Sequence, residues 1–303
     1  MSEVPNFEGI IPAIVTPFTA DGTAVNDDVL RQVVRFQLDA GVGGLIPCGS
    51  TGEFFSLTHD ERKHVVETVV AETNGAVPVL PHTGALTTKE TVELSRHAEQ
   101  AGAAAVMVIP PFYEPNTFPE LLAHYRAISD AISIPIVYYH MPSASGHPLS
   151  REQFEQLAEI ENVRFTKDSS AEPLPFAEIS LEMAGRLTPI NGEDKLVFAA
   201  FAEGARATVW GSATFFPGLA VELYDTLVVK QSLGDARAVW RRIWSVLQAL
   251  RGVSYQSAVK AGCELVGLPV GSPRLPIAPA PKEYYSQLAA VLRAAGVEVV
   301  TEA

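Results

Sequence analysis

A strand followed by a helix recurs about every 25 to 30 residues along this chain, and that rhythm limits the fold more than any other feature. Eight short apolar segments carry the strand half of the unit: residues 10–15, 44–48, 77–80, 104–109, 134–139, 163–167, 187–190 and 207–210. Amphipathic stretches lie between them, such as Val29-Val33-Phe36-Leu38 and Val65-Val66-Val69-Val70. Start signals precede these helices: Asn26-Asp27-Asp28 before the first, and Thr58-His59-Asp60-Glu61, a capping-box pattern, before the second. Stop signals follow them, as in Asp39-Ala40-Gly41 and Gln100-Ala101-Gly102.

Eight such units in one chain predict a parallel (β/α)8 TIM barrel in the α/β class. A doubly wound open sheet is the competing arrangement, but no G-x-G-x-x-G follows the first strand. The strand pattern stops near residue 233. Residues 236–250, 255–265 and 283–295 read as helices, with a Pro-rich segment at 269–281. The expected organisation is therefore a barrel over residues 1–232 and a C-terminal helical extension over 233–303.

At 303 residues, 47% hydrophobic and 19% charged, the chain can bury one large core. A net charge of −13, with no basic run, disfavours nucleic acid and anionic membrane surfaces as partners. Cys48 and Cys263 lie too far apart in sequence to read as a metal-ligand pair or a disulfide framework. No stretch of 18 apolar residues and no signal-peptide pattern is visible, so a cytoplasmic enzyme is expected.

A barrel of this kind works at the C-terminal ends of its strands. The residues placed there are Gly49-Ser50-Thr51-Gly52-Glu53, His82-Thr83-Gly84, Pro110-Pro111-Phe112-Tyr113, Tyr138-Tyr139-His140, Lys167-Asp168 and Gly211-Ser212. Lys167 is the most informative of them. A lysine at the mouth of an apolar site is costly to keep charged, and a neutral amine attacks carbonyls to form a Schiff base. Tyr139 lies 28 residues earlier, one unit back, so it should stand at the same end of a neighbouring strand about 4.8 Å away. Alternation puts Val163, Phe165 and Lys167 on one face. A phenol beside that amine could shuttle a proton. The Gly-flanked pair Ser50-Thr51 could hold a carboxylate through backbone N–H groups. Metal chemistry through His82 and His140 with Glu53 or Asp168 is a further option, though no ligand-pair spacing appears. No metal and no cofactor are expected.

Four of these strings in this order carry a resemblance: Gly49-Ser50-Thr51-Gly52-Glu53, Pro111-Phe112-Tyr113, Tyr139-His140-Met141-Pro142 and Lys167-Asp168-Ser169-Ser170. The chain resembles the dihydrodipicolinate synthase / N-acetylneuraminate lyase family of Schiff-base-forming aldolases and dehydratases. The resemblance implies that Lys167 forms the iminium with a 2-oxo acid and that Tyr139 is the general acid/base. It implies that Gly49, Ser50 and Thr51 bind the substrate carboxylate, with Thr51 also in the proton path. Tyr113 would complete a proton relay by reaching into an adjacent subunit of a homotetramer built as a dimer of dimers. The expected partner is a small 2-oxo acid.

Departures from the family pattern narrow the substrate. The lysine-pathway synthases carry an arginine five residues after the catalytic tyrosine, where this chain has Ala144 within Ser143-Ala144-Ser145-Gly146. Asn191-Gly192-Glu193-Asp194 is followed by Lys195, which disfavours sialic acid. Gly52-Glu53-Phe54-Phe55-Ser56-Leu57 is similar to the deoxyglucarate dehydratase branch. The expected activity is thus a lyase acting on a 2-oxo-3-deoxy sugar acid, with Ser143, Asp194 and Ser212 available to substrate hydroxyls. The competing expectations are 4-hydroxy-tetrahydrodipicolinate synthase activity and a non-catalytic 2-oxo-acid sensor.

Overall fold

The computed structural model describes residues 6–183 and 185–300. The outer ends of the two expected regions, residues 1–5 and 301–303, lie outside the described residues. Six strands form one parallel sheet: β1 (Gly9–Pro12), β2 (Val106–Val108), β3 (Ile136–His140), β4 (Val163–Asp168), β5 (Thr188–Asn191) and β6 (Ala207–Trp210). Their order is β1-β6-β5-β4-β3-β2, so the first strand pairs with the last.

Two expected strands, at 44–48 and 77–80, exist as isolated parallel bridges rather than full strands. Ala13 bridges Ile46, Leu45 bridges Val79, and His82 bridges Met107. Proline is the physical reason. Pro47, Pro78 and Pro81 have no N–H to give to a ladder, so pairing is broken at each. The remaining N–H groups still bond across: Ile46 to Pro12 O at 2.9 Å, Leu80 to Leu45 O at 2.9 Å and Met107 to Pro81 O at 2.9 Å.

Helices alternate with these segments: α1 (Asp27–Asp39), α2 (His59–Thr73), α3 (Thr88–Gln100), α4 (Phe118–Ser129), α5 (Pro142–Ser145), α6 (Arg151–Ala158), α7 (Pro173–Glu182), α8 (Val197–Ala202) and α9 (Pro217–Tyr224). The C-terminal region adds α10 (Leu233–Ala249), α11 (Tyr255–Leu265) and α12 (Lys282–Ala294), within about three residues of the expected bounds. The Asn26 side chain caps α1, and Thr58 with Glu61 closes the capping box of α2. Gly41 and Gly102 take φ of 79° and 97° just past α1 and α3, a left-handed backbone that suits glycine as a helix stop. Among the described residues, no helix is long and apolar enough to cross a membrane.

Apolar packing divides into two clusters. The larger lies between the sheet and the helices. The smaller draws on Ile11, Ile46, Leu80, Met107, Val137 and Phe165, among others, and includes residues from each of the eight expected segments. Phe7 enters this smaller cluster with its ring 4.7 Å from that of Phe165. One expectation about β4 is corrected here. The register of β3 and β4 shifts between Ile136 and Val137, so Val163 faces Ile136 while Phe165 faces Val137. Arg164 is the extra residue of this irregularity, which breaks strict alternation. Val163 therefore packs into the larger cluster, and only Phe165 and Lys167 share the inner face.

Candidate active site

Beyond that irregularity the register is regular, and it sets the centre of the site: Tyr139 is the direct partner of Lys167, and His140 of Asp168. Alternation then separates two pairs. Tyr139 belongs to the inner cluster, and Lys167 Nζ lies 3.7 Å from the centre of its ring. Both residues are buried, at 3% and 6% exposure. Burial acts to push the Tyr139 phenol up. The charge of Lys167, with hydrogen bonding from Ser50, Lys167 and Ser169, outweighs burial and holds the phenol below its usual range. The hydroxyl also lies 3.2 Å from Met141 Sδ. A phenol so placed can give and take a proton beside an amine.

His140 and Asp168 face the other way. His140 Nδ1 lies 3.0 Å from Asp168 Oδ1, and its ring stacks on Tyr138 in the outer packing at 6.0 Å. His82, by contrast, lies inside, with its ring 6.2 Å from that of Tyr139 and Nδ1 3.1 Å from Cys48 O. Burial, then the charges of Arg62 and Lys167, hold His82 well below the usual imidazole range. The two histidines thus sit on opposite faces of the sheet. Glu53 is occupied as well: Lys260 Nζ is 2.8 Å from Oε1, and the Arg274 N–H donates to Oε2 at 2.9 Å. Among the described residues, no three His, Cys, Asp or Glu side chains are grouped to hold a metal ion.

The Gly49–Glu53 turn lies beside the lysine-tyrosine pair, because Ser50 contributes directly to the Tyr139 environment. Thr51 is buried at 5% exposure. A Cβ on Gly211 would stand 2.5 Å from Thr51 Oγ1 and 2.6 Å from the Tyr255 hydroxyl, so glycine at that strand end leaves room for both. Gly192 serves Lys167 in the same way, since a Cβ there would stand 2.5 Å from Lys167 Cε and 2.7 Å from Cγ. The Gly192 N–H donates to Asp168 O at 2.7 Å, and the Ser169 hydroxyl to Gly192 O at 2.8 Å.

A polar cluster adjoins Thr51, meeting it across Gly211. Asp194 Oδ2 accepts from the Ser212 hydroxyl at 2.6 Å and from the Tyr255 hydroxyl at 2.7 Å. Trp210 Nε1 donates to Ser212 Oγ at 3.0 Å. Burial raises the Asp194 carboxyl above the usual range, against the two hydroxyl donors and the Lys167 charge, while Glu193 adds to the rise. That carboxyl can present acceptor oxygens, or a proton, to hydroxyls of a bound molecule.

Lys167, Tyr139, Ser50, Thr51, Asp194 and Ser212 therefore converge. Gly49 supports the turn, packing near Met107 and Ile46. Tyr113 and Ser143 are not drawn in within one chain: Tyr113 is 85% exposed and Ser143 is exposed on α5. The residue that sequence reasoning missed is Tyr255. It lies 61 positions after Asp194, at the first position of a helix of the C-terminal region, and no local pattern marks it.

Residues 6–295 match the sequence model of the Dihydrodipicolinate synthetase family. A 4-hydroxy-tetrahydrodipicolinate synthase of Pelobacter propionicus is 34% identical over 292 residues, covering 96% of this chain and 99% of that one. The structure of a dihydrodipicolinate synthase from Acinetobacter baumannii, complexed with pyruvate, superposes with a TM-score of 0.91 at 27% identity, over 97% of this chain and all of that one (100%). A monomeric dihydrodipicolinate synthase variant matches with a TM-score of 0.90 at 28% identity, over 96% of this chain and 98% of that one.

Proposed function

This chain belongs to the dihydrodipicolinate synthetase family, a family of lyases, and from that premise we propose that it cleaves or dehydrates a 2-oxo acid, a 2-oxo-3-deoxy sugar acid, through an iminium on Lys167. The observation that carries this reading is the burial of Lys167 Nζ 3.7 Å from the Tyr139 ring. The neutral amine adds to C2 of the 2-oxo acid, and the carbinolamine loses water to leave the iminium. That cation withdraws electrons from C3, so a bond at C3 or C4 can break with proton transfer by Tyr139. Gly49, Ser50 and Thr51 hold the 2-oxo-acid carboxylate. Asp194, Ser212 and Ser143 receive the hydroxyls further along the chain, and Thr51 with Tyr113 extends the proton path, Tyr113 serving the adjacent subunit.

The wider frame of the proposal is a closed (β/α)8 barrel over residues 1–232, with 233–303 as a helical extension. Its support is the pairing of β1 with β6 together with the bridges through Ile46, Val79 and His82. A homotetramer in the cytoplasm, using no cofactor, completes it.

One observation favours a second reading. Relatives between 31% and 36% identical include several named 4-hydroxy-tetrahydrodipicolinate synthase, so condensation of pyruvate with aspartate semialdehyde is the alternative. Against it stands Ala144, which offers no cation to a second carboxylate. The direct test of the shared chemistry is borohydride trapping with pyruvate, followed by mass spectrometry. The expected adduct lies on the peptide containing Lys167. An adduct on another lysine, or none while activity persists, overturns the mechanism.

A further inference from the structure

Helix α11 lies outside the strand–helix units, yet three of its side chains reach the rim of the sheet. The Tyr255 hydroxyl donates to Asp194 Oδ2 at 2.7 Å. The adjacent Gln256 donates through Nε2 to the backbone oxygen of Ser50 at 3.2 Å. One turn on, Lys260 Nζ pairs with Glu53 Oε1 at 2.8 Å, with both side chains essentially withdrawn from water (2% and 0% exposed). Lys260 also lies 4.1 Å from the Phe18 ring and donates to Ser272 O at 3.2 Å.

Two of these contacts fall on the turn assigned above to the substrate carboxylate, and the third falls on Asp194, assigned to the hydroxyls further along. Gln256 and Lys260 hold the two ends of the Ser50–Glu53 turn, and Tyr255 holds Asp194. The turn needs such support. Cys48 and Glu53 flank it at φ of 57° and 55°, a left-handed backbone disfavoured for residues other than glycine, which persists only where surrounding contacts impose it. A backbone N–H site for a carboxylate is useful only if those N–H groups are fixed before the ligand arrives.

We propose that α11 is part of the binding apparatus, with Gln256 and Lys260 as positioning residues that preset the Ser50–Thr51 turn for a 2-oxo-acid carboxylate while Tyr255 orients Asp194 toward the remainder of the substrate. This inference rests on the assignment of that turn to the carboxylate. It places determinants of substrate affinity in the C-terminal helices, in residues that need not touch the substrate.

The test is a pyruvate titration of borohydride trapping in the full-length chain, with the trapped fraction read by mass spectrometry and Tm measured in parallel. The variants are Gln256→Leu and the double change Glu53→Gln with Lys260→Met. The double change removes both charges together, because stranding one buried charge can unfold a protein. The expected result is a rise of about tenfold in half-saturating pyruvate for Gln256→Leu, the loss of one hydrogen bond, and a rise in the same direction for the double variant. The effect falls on half-saturation rather than on the fraction trapped at saturation. Variants that titrate like wild type, or that lose trapped fraction and Tm together with half-saturation unmoved, make α11 a purely structural prop and overturn the inference. Wild-type protein that pyruvate does not trap at any concentration defeats the 2-oxo-acid reading itself, and this inference with it.

Discussion

Lys167 and Tyr139 are direct partners across two parallel strands, with the lysine nitrogen 3.7 Å from the centre of the tyrosine ring. The amine therefore lies against the aromatic face while its charge lowers the phenol. A phenol lowered in this way releases its proton more readily and can take it back, so Tyr139 can act as both acid and base beside the amine. A proton held between two such groups is well placed for transfer to a substrate oxygen or carbon.

Tyr139→Phe keeps the ring that packs in the inner cluster and deletes only the hydroxyl. Turnover should fall by about 10²–10⁴-fold, the range for a positioned acid/base, with Tm close to wild type. Steady-state kinetics beside a thermal melt make the measurement. Wild-type turnover in the variant removes Tyr139 from the proton path.

Gly192→Ala tests how tightly the lysine is held. The new Cβ would fall 2.4 Å from Ser169 Oγ and within 2.7 Å of Lys167 Cγ and Cε, well inside van der Waals contact, so the lysine must move. A displacement near 1 Å at a reacting group costs about 10²-fold. We expect kcat/KM to drop by about that factor, and the yield of the borohydride adduct at fixed pyruvate to drop with it. An alanine variant with wild-type kinetics would show that Lys167 has slack at its own strand end.

The sequence carried the alternation of parallel strands and helices and the contact of Tyr139 with Lys167 because both rest on local pattern. Segment spacing placed Tyr139 and Lys167 one unit apart, and parallel pairing turned that spacing into contact. What remained illegible was long-range. Val163 leaves the inner face because of an irregularity at Arg164 that no alternation rule announces. The segments 44–48 and 77–80 read as strands by apolarity, but their prolines reduce them to bridges. Tyr255, Gln256 and Lys260 sit in a helix whose sequence shows only an amphipathic pattern, and their partners lie 61, 206 and 207 positions away. Tyr113, placed at the site by family resemblance, points to solvent in a single chain.

Acid stability should report His124. This residue is buried, its Nδ1 is 2.9 Å from Thr88 Oγ1, and burial lowers its imidazole from 6.5 to about 4. The folded state thus binds the proton less readily than the unfolded state, so stability is lost as pH falls below 6.5 and the loss continues toward the folded value near 4. Over that window the contribution is about 3 kcal/mol at most. His82, also lowered by burial, acts in the same direction. His124→Gln removes one titration and keeps a neutral polar group opposite Thr88. Urea denaturation at pH 7 and pH 4.5 should show a smaller acid loss in the variant than in wild type. Equal losses in the two proteins would mean that His124 is not protonated on unfolding in this range.

Substrate choice separates the two enzymatic readings. Ala144 leaves the turn after Tyr139 without the bidentate cation that a second carboxylate would need, and α5 exposes Ser143 there instead. Asp194, Ser212 and Tyr255 form a connected set of hydroxyl and carboxyl groups. A site built to bond hydroxyls rejects analogues that lack them, because its buried polar groups are then left unpaired. We therefore expect kcat/KM for 2-oxo-3-deoxy sugar acids to exceed that for pyruvate plus aspartate semialdehyde by at least about 10²-fold. Asp194→Ala should erase most of that preference while leaving the borohydride adduct of pyruvate detectable on Lys167, since pyruvate has no hydroxyls for Asp194 to receive and its carboxylate and 2-oxo group are assigned to other residues. The measurement is a side-by-side panel on wild type and Asp194→Ala, with pyruvate followed as product or co-substrate. Robust condensation with aspartate semialdehyde and no turnover of any sugar acid would show that another residue supplies the missing cation, and would establish the synthase reading in place of the lyase.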